Sequence, residues 1–198
     1  MPSYDMNLKN RFFEHIDGKG MGLTVYSGEF IEYVGDFYND KISSISIAPM
    51  TLILFFEDRG FKGKVNYLEN WSGEQKLFNI HKGELQDKIS SIKTYRLCPG
   101  SFGASKVTYY EHVNAGGENQ YLLANHIQSY VGSHWNDRIS SFELGPHTVA
   151  LIFEHRDFRG RMMYLDNLGN SPLLYNIHRG WTNDEISSIK TFRLCEYS

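Results

Sequence analysis

The sequence is poor in cysteine, in proline and in charge of a single sign, and each shortage excludes a class of protein. Two cysteines and five prolines in 198 residues are too few for a disulfide-rich scaffold or a proline-rich disordered chain. Twenty basic residues against 23 acidic ones give a net charge of −3, which disfavours a nucleic-acid partner. No apolar run approaches the roughly 20 residues that a membrane-spanning helix needs.

The N-terminus and the two cysteines give information about the cellular compartment of the protein. Residues 1–5 lack the basic and apolar regions of a secretory signal peptide, so the sequence predicts a cytoplasmic protein. Cys98 and Cys195 have no neighbouring cysteine. We therefore expect unpaired, buried thiols at strand ends, with a metal or redox role as the alternative.

Aromatic residues and glycine are abundant, and they indicate a β structure. The chain contains 13 Phe, 13 Tyr, 3 Trp and 18 Gly, which is typical of many short strands joined by turns. The apolar stretches 51–56 and 148–153 are too short for helices and are bounded by turn residues. The sequence therefore predicts that both stretches are strands.

The chain contains an internal duplication. Phe56–Gly63 (Phe-Glu-Asp-Arg-Gly-Phe-Lys-Gly) recurs as Phe153–Gly160 (Phe-Glu-His-Arg-Asp-Phe-Arg-Gly), 97 residues later and without gaps. The Pro-Gly-Ser sequence at 99–101 is suited to a linker. The sequence therefore predicts two domains, 1–98 and 99–198.

Each half contains two shorter motifs. A hexapeptide of the form [Asn/Gln]-Asp-x-Ile-Ser-Ser occurs four times, at 39–44, 86–91, 136–141 and 183–188. An eight-residue segment that starts with an aromatic residue and closes with glycine precedes each hexapeptide, beginning at Phe13, Phe56, Tyr110 and Phe153. The distance from aromatic residue to hexapeptide alternates between 26 and 30 residues, so the motifs alternate as A, B, A, B.

These paired motifs resemble those of the βγ-crystallins over about residues 8–195. The resemblance implies an all-β fold of two domains, each a Greek-key β-sandwich of two four-stranded antiparallel sheets. It also implies calcium binding by the hexapeptides, with up to four ions, two per domain, and with ligands exchanged between paired loops. Calcium takes six to eight oxygen ligands in irregular geometry, and amide, carboxylate, hydroxyl and carbonyl oxygens all qualify.

The family pattern assigns four kinds of ligand to this sequence. The first hexapeptide residue offers a side-chain oxygen, the third its carbonyl, the fifth a hydroxyl, and the hairpin glutamate a carboxylate or carbonyl. By motif, the candidate ligands are Glu14, Asn39, Lys41 and Ser43; Glu57, Gln86, Lys88 and Ser90; Glu111, Asn136, Arg138 and Ser140; Glu154, Asn183, Glu185 and Ser187. We expect the sixth serine and the Asp at position two to tie the loop together through backbone hydrogen bonds.

Two features are expected to limit the affinity for calcium. Gln86 has a longer side chain than the Asn at the other first positions, and the side chains of Lys41, Lys88 and Arg138 add positive charge beside the ion. Since neutral oxygens dominate the ligand set, we expect dissociation constants of roughly 10⁻⁶ to 10⁻⁴ M.

The hairpins are expected to be structural. Their closing residues should adopt positive φ or allow close backbone approach; they are Gly20, Gly63, Gly117 and Gly160. Phe56 should pack on Phe61, and Phe153 on Phe158. Gly18 and Ala115 replace the second aromatic residue in the A hairpins, so we expect those hairpins to be held less firmly.

Three non-enzymatic functions remain open. A calcium-stabilised structural or stress protein fits the four motifs best. The alternatives are a protein-interaction module, such as an inhibitor or toxin, and a metal-independent lens-like protein. The few cysteines argue against a secreted inhibitor. No nucleophile elbow, phosphate-binding loop or His-x-x-x-His pair occurs, so we expect no enzymatic activity. Calcium is the expected ligand, and a monomer or weak homodimer is expected.

Overall fold

A computed structural model describes residues 8–80, 88–100, 105–177 and 186–195. The chain divides into two compact units, 1–97 and 98–198. Apart from two 3₁₀ turns, Ile16–Gly18 and Arg156–Phe158, the regular structure of the described residues is β. In that part of the chain, no helix has the length and apolar character that a membrane crossing requires.

The first unit contains two four-stranded antiparallel sheets. In chain order its strands are β1 (Lys9–Phe13), β2 (Gly22–Tyr26), β3 (Phe30–Ile31), β4 (Ser44–Ile47), β5 (Thr51–Asp58), β6 (Lys62–Asn70), β7 (Lys76–Asn79) and β8 (Ser91–Arg96). One sheet has the order β2-β1-β4-β7 and the other β3-β8-β5-β6. The third strand of each motif, β3 or β7, therefore joins the sheet of the other motif, which interlocks the two Greek keys.

The second unit repeats this arrangement. Its strands are β9 (Lys106–His112), β10 (Gly116–Leu123), β11 (Ile127–Gln128), β12 (Ser141–Leu144), β13 (Thr148–His155), β14 (Arg159–Asn167), β15 (Leu173–Asn176) and β16 (Ser188–Arg193). The sheet orders are β10-β9-β12-β15 and β11-β16-β13-β14. The predicted all-β fold class is confirmed, and the two predicted strands lie within β5 and β13.

Each unit has its own apolar core. Phe12, Ile45 and Ile53 of the first unit belong to one cluster of buried side chains. Tyr109 and Phe142 belong to the corresponding cluster of the second unit. Inward-facing residues of both sheets contribute to each cluster, so burial of apolar surface holds the sheets together.

The B hairpins fold as the sequence predicts. The ring centroids of Phe56 and Phe61 are 5.6 Å apart, and those of Phe153 and Phe158 are 5.5 Å apart. The closing glycines of all four hairpins have φ between +74° and +80°. At Gly160 an added Cβ would lie 2.9 Å from a carboxylate oxygen of the hairpin glutamate, so glycine is needed there for space as well as for conformation.

The A hairpins are held by side-chain hydrogen bonds that the sequence did not predict. Asn79 accepts a hydrogen bond from the backbone N–H of Asp17 at 2.8 Å and donates one to the Asp17 carboxylate at 2.9 Å. Asn176 bonds Asn114 in the same way, at 2.7 and 2.8 Å. An asparagine from β7 or β15 therefore clamps the hairpin that lacks an aromatic pair.

The expectation of unpaired cysteines is wrong. Cys98 and Cys195 form a disulfide, with Cα atoms 4.9 Å apart. Neither cysteine has a cysteine nearby in sequence, and the predicted boundary after residue 98 placed them in separate domains. However, Cys98 belongs to the second unit, and its N–H donates to the carbonyl of Arg193 at 2.9 Å. The bond therefore joins the two ends of the second unit, and one argument against a secreted inhibitor is lost.

Candidate metal centre

The hexapeptides are anchored by their isoleucine. The fourth residues of the four motifs are 0–1% exposed; they are Ile42, Ile89, Ile139 and Ile186. All four belong to the apolar cluster of their own unit. Because the isoleucine is fixed in the core, the two serines that follow it are held in place as well.

The sixth serines tie the hexapeptides to the hairpins, as predicted. Ser188 Oγ donates to the carbonyl of His155 at 2.6 Å and accepts the N–H of Phe158 at 3.1 Å. The three equivalent serines, Ser44, Ser91 and Ser141, make the same pair of bonds. All four are fully buried, so their hydroxyls fasten the hairpin rather than face a ligand.

The fifth serines lie beside the hairpin glutamates. The N–H of Ser90 donates to the carbonyl of Phe56 at 2.9 Å, and the N–H of Ser187 donates to that of Phe153 at 3.0 Å. Ser43 and Ser140 bond Phe13 and Tyr110 in the same way, at 2.9 Å. The glutamate follows each aromatic residue directly, so this pairing brings a hydroxyl and a carboxylate to the same edge.

The two hexapeptides of each unit meet through side-chain oxygens. Ser90 Oγ donates to Asn39 Oδ1 at 2.7 Å, and Ser187 Oγ donates to Asn136 Oδ1 at 2.7 Å. The first residue of motif A therefore faces the fifth residue of motif B in both units. The contact joins the two loops of each unit, and the exchange of calcium ligands between them stays a prediction.

In the first unit these oxygens line an open cleft. Its lining residues are Asn39, Asp40, Glu57, Asp58, Arg59, Lys88 and Ser90. Asp40 has φ +59°, and its carboxylate accepts a hydrogen bond from the Asn39 amide at 2.7 Å. Asp40, the second residue of the hexapeptide, therefore bonds the Asn39 side chain. The sequence had predicted bonds to backbone groups instead.

The cleft supplies the oxygen chemistry that a hard cation needs. Amide, hydroxyl and carboxylate oxygens from Asn39, Ser90 and Glu57 line the same space. The described residues contain no cluster of three or more His, Cys, Asp or Glu side chains placed to hold a metal ion. A cation in this cleft would meet the neutral oxygens of Asn39 and Ser90 as well as the Glu57 carboxylate.

Basic side chains hold several of the hairpin carboxylates. Lys88 Nζ lies 3.6 Å from Glu57 Oε1. Arg138 donates to the carboxylate of Glu111, and this hydrogen bond lowers the pKa of Glu111. The hydrogen bonds from the side chain and backbone N–H of Arg161 lower the pKa of Glu154 to about 2.

The Glu154 pKa predicts an acid-sensitive contribution to stability. Because the folded pKa lies below the ordinary 4.5, this contribution is present above pH 4.5 and is lost as the pH falls towards about 2. We expect Glu154→Gln and Arg161→Gln each to flatten the fall in urea midpoint over this range. Two variants that keep the full wild-type pH dependence would contradict this expectation.

The structure describes 13 of the 16 candidate ligands. It brings together Asn39, Glu57, Lys88 and Ser90 in the cleft. The side chain of Lys41 extends over the ring of Phe37, with Nζ 4.9 Å from the centroid, and its candidate ligand atom, the backbone carbonyl, stays a prediction. The remaining candidates lie outside the described residues; they are Gln86, Asn183 and Glu185.

Sequence reasoning missed three functional contacts. The clamps by Asn79 and Asn176 join residues 62 positions apart, although the repeated Asn-Ile-His sequence around each asparagine was a signal. The pairing of Arg161 with Glu154 was also missed. The sign of this pairing in the sequence was a basic residue seven positions after the hairpin glutamate.

Comparison with known proteins finds relatives of the chain that contains these hairpin and hexapeptide motifs. A family model described as Beta/Gamma crystallin matches residues 103–178. Spherulin-3A of Physarum polycephalum is 32% identical over 96 residues, which are 47% of this chain and 90% of spherulin-3A. Its solution structure is 29% identical over 52% of this chain and 98% of its own, with a TM-score of 0.36.

Protein S in complex with calcium is another similar structure. It is 19% identical over 95% of this chain and 99% of its own, with a TM-score of 0.35. The sequence identity with spherulin-3A, the 90% of spherulin-3A that the match covers, and the four hairpin-hexapeptide motifs together show the family of this chain. The chain belongs to the βγ-crystallin superfamily.

Proposed function

We propose that this βγ-crystallin is a calcium-binding structural or stress protein, in which the ion bridges paired hexapeptide loops and stabilises the fold. The observation that carries the proposal is the 2.7 Å contact between Asn39 Oδ1 and Ser90 Oγ, in a cleft that Glu57 also lines. Oxygens from both loops and from the hairpin converge there, and a divalent cation would replace the hydrogen bond between them.

The proposed role of calcium is stabilisation rather than signalling. A ligand that binds only the folded state adds about 2.7 kcal/mol at a hundred times its dissociation constant. The isoleucine and the sixth serine of each hexapeptide are buried. The described part of the chain contains no helix pair that could open around the ion, as sensor proteins require.

Calcium titration of the Asn39→Ala variant tests the proposal. This change removes one amide oxygen from the cleft, so we expect the affinity of one site to fall on the order of tenfold. Isothermal titration calorimetry on chelator-treated protein measures it. Asn119→Ala, an exposed change on β10, is the matched control and should titrate like the wild type. A wild-type protein that gives no heat up to millimolar calcium would overturn the proposal.

The disulfide favours a second candidate, an interaction module in which calcium is incidental. Disulfides are common in secreted inhibitors and toxins, and the second unit has one. A protein partner that binds equally in calcium and in EDTA would support this function. A thermal shift in calcium, with no protein partner captured in either buffer, would support the first proposal.

A further inference from the structure

The duplication allows the two units to be compared residue by residue. Positions 97 apart are equivalent, so Glu14 corresponds to Glu111, and Glu57 corresponds to Glu154. All four glutamates follow the aromatic residue of a hairpin. Differences between their surroundings therefore arise from neighbouring side chains rather than from the fold.

The A hairpin carboxylates have different neighbours in the two units. Arg138 donates to Glu111 in the second unit. The equivalent Lys41 extends over the ring of Phe37 instead, with Nζ 4.9 Å from the centroid. Among the residues that the structure describes, no side chain pairs with the Glu14 carboxylate.

A second network holds Arg138 in place. Its Nη1 donates to the backbone carbonyl of His134 at 3.3 Å. The imidazole of His134 in turn contacts the carboxylate of Glu118 at 2.6 Å. The first unit has Phe37 and Met21 at these two positions, so it has no polar support that would direct Lys41 towards Glu14.

The B hairpin carboxylates differ in the same way, because the glutamate of the second unit is held by an arginine and, in the described part of the chain, that of the first unit is not. Glu154 accepts hydrogen bonds from the backbone N–H, Nε and Nη2 of Arg161, at 2.9, 3.1 and 2.8 Å. Among the described residues, Glu57 forms an ion pair with Lys88, at 3.6 Å. The Lys88 side chain is 56% exposed and the Glu57 side chain 32% exposed, so water screens this pair.

Guanidinium and ammonium groups compete differently with calcium. A guanidinium that makes several hydrogen bonds to a carboxylate is oriented by its planar geometry and is displaced at a cost. An exposed lysine ammonium on a flexible stem moves into water with little loss. Calcium would therefore reach Glu14 and Glu57 more easily than Glu111 and Glu154.

We propose a division between the two units. The first unit binds calcium, whereas in the second unit the guanidinium groups of Arg138 and Arg161 neutralise the hairpin carboxylates in place of calcium. This inference rests on the proposed calcium function and names where that function acts. The second unit also has the disulfide, whereas both cysteines of the chain lie outside the first unit. The unit that has no disulfide, and in which no arginine bonds a hairpin glutamate among the described residues, is thus the one that depends on the metal.

Two matched double variants of the full chain separate the roles. Glu14→Gln with Glu57→Gln should lower calcium affinity about tenfold or more and leave melting in EDTA within a few degrees of the wild type. Glu111→Gln with Glu154→Gln should leave the calcium titration unchanged and lower melting in EDTA by about 5 °C. Calorimetric titration and thermal melting are measured on both variants.

A third variant tests the arginines directly. Arg138→Gln with Arg161→Gln frees both carboxylates of the second unit, so the number of bound calcium ions should rise above the wild-type number. Equal loss of calcium affinity in the two glutamine variants, or an unchanged ion number in the arginine variant, would overturn the division. A wild-type protein without any calcium binding would instead refute the proposed function, on which the division rests.

Discussion

Reduction of the disulfide is expected to lower the melting temperature of the second unit by about 20 °C and to leave the first unit unchanged. Cys98 and Cys195 are 97 residues apart in sequence, and a crosslink over a loop of about 100 residues stabilises a fold by about 4 to 5 kcal/mol in the chain-entropy estimate. Each kcal/mol corresponds to about 4 to 8 °C in a domain of this size. The bond therefore accounts for a large share of the stability of the second unit.

Differential scanning calorimetry of the wild type and of Cys98→Ser with Cys195→Ser measures this effect. The first unit is the internal control, since neither cysteine belongs to it. Two transitions that shift together would mean that the disulfide stabilises the whole chain. No shift in either transition would mean that the native fold does not depend on the bond.

Truncation of a hexapeptide isoleucine is the second large effect. Ile139 is 1% exposed and belongs to the core cluster of the second unit. Ile139→Ala removes buried apolar volume and leaves a cavity, so we expect the free energy of unfolding to fall by about 3 to 4 kcal/mol. Urea unfolding followed by circular dichroism measures the change.

Ile127→Ala is the matched control for that experiment. Ile127 lies in β11 of the same unit and is 68% exposed, so the same chemical change should alter stability by less than about 0.5 kcal/mol. Similar losses in the two variants would show that the hexapeptide isoleucine has no special role in anchoring the loop.

Features determined within one motif could be predicted from the sequence. The positive φ of Gly160 and the packing of Phe153 on Phe158 depend on residues of a single hairpin. The role of Ser188 follows from the fixed distance between hairpin and hexapeptide. Local sequence and repeated spacing were enough in these cases, because each contact recurs in several motifs.

Features that depend on distant or non-repeated residues could not be predicted. The predicted boundary after residue 98 placed Cys98 and Cys195 in separate domains, whereas in the structure both belong to the second unit and form a disulfide. The clamp by Asn79 depends on the crossing of β7 into the sheet of motif A. In these cases strand topology, which single motifs do not encode, decides the contact.

The candidate site shows the same limit. The family resemblance implied that paired loops share calcium ligands, but the hydrogen bond between Asn39 and Ser90 was found only in the structure. The sequence also showed that basic residues lie close to the motifs. It did not show that Arg138 turns towards Glu111 while Lys41 turns towards Phe37, because neighbouring side chains at positions 134 and 37 determine the direction.

Thermal melting of chelator-treated protein in calcium and in EDTA tests the central claim most directly. Calcium at a hundred times its dissociation constant should add about 2.7 kcal/mol, which corresponds to a rise in melting temperature of about 10 °C. Magnesium at the same concentration is the control and should give a smaller shift, because it accepts irregular oxygen sites less readily. Identical melting curves in EDTA and in millimolar calcium would contradict the claim that calcium stabilises this fold.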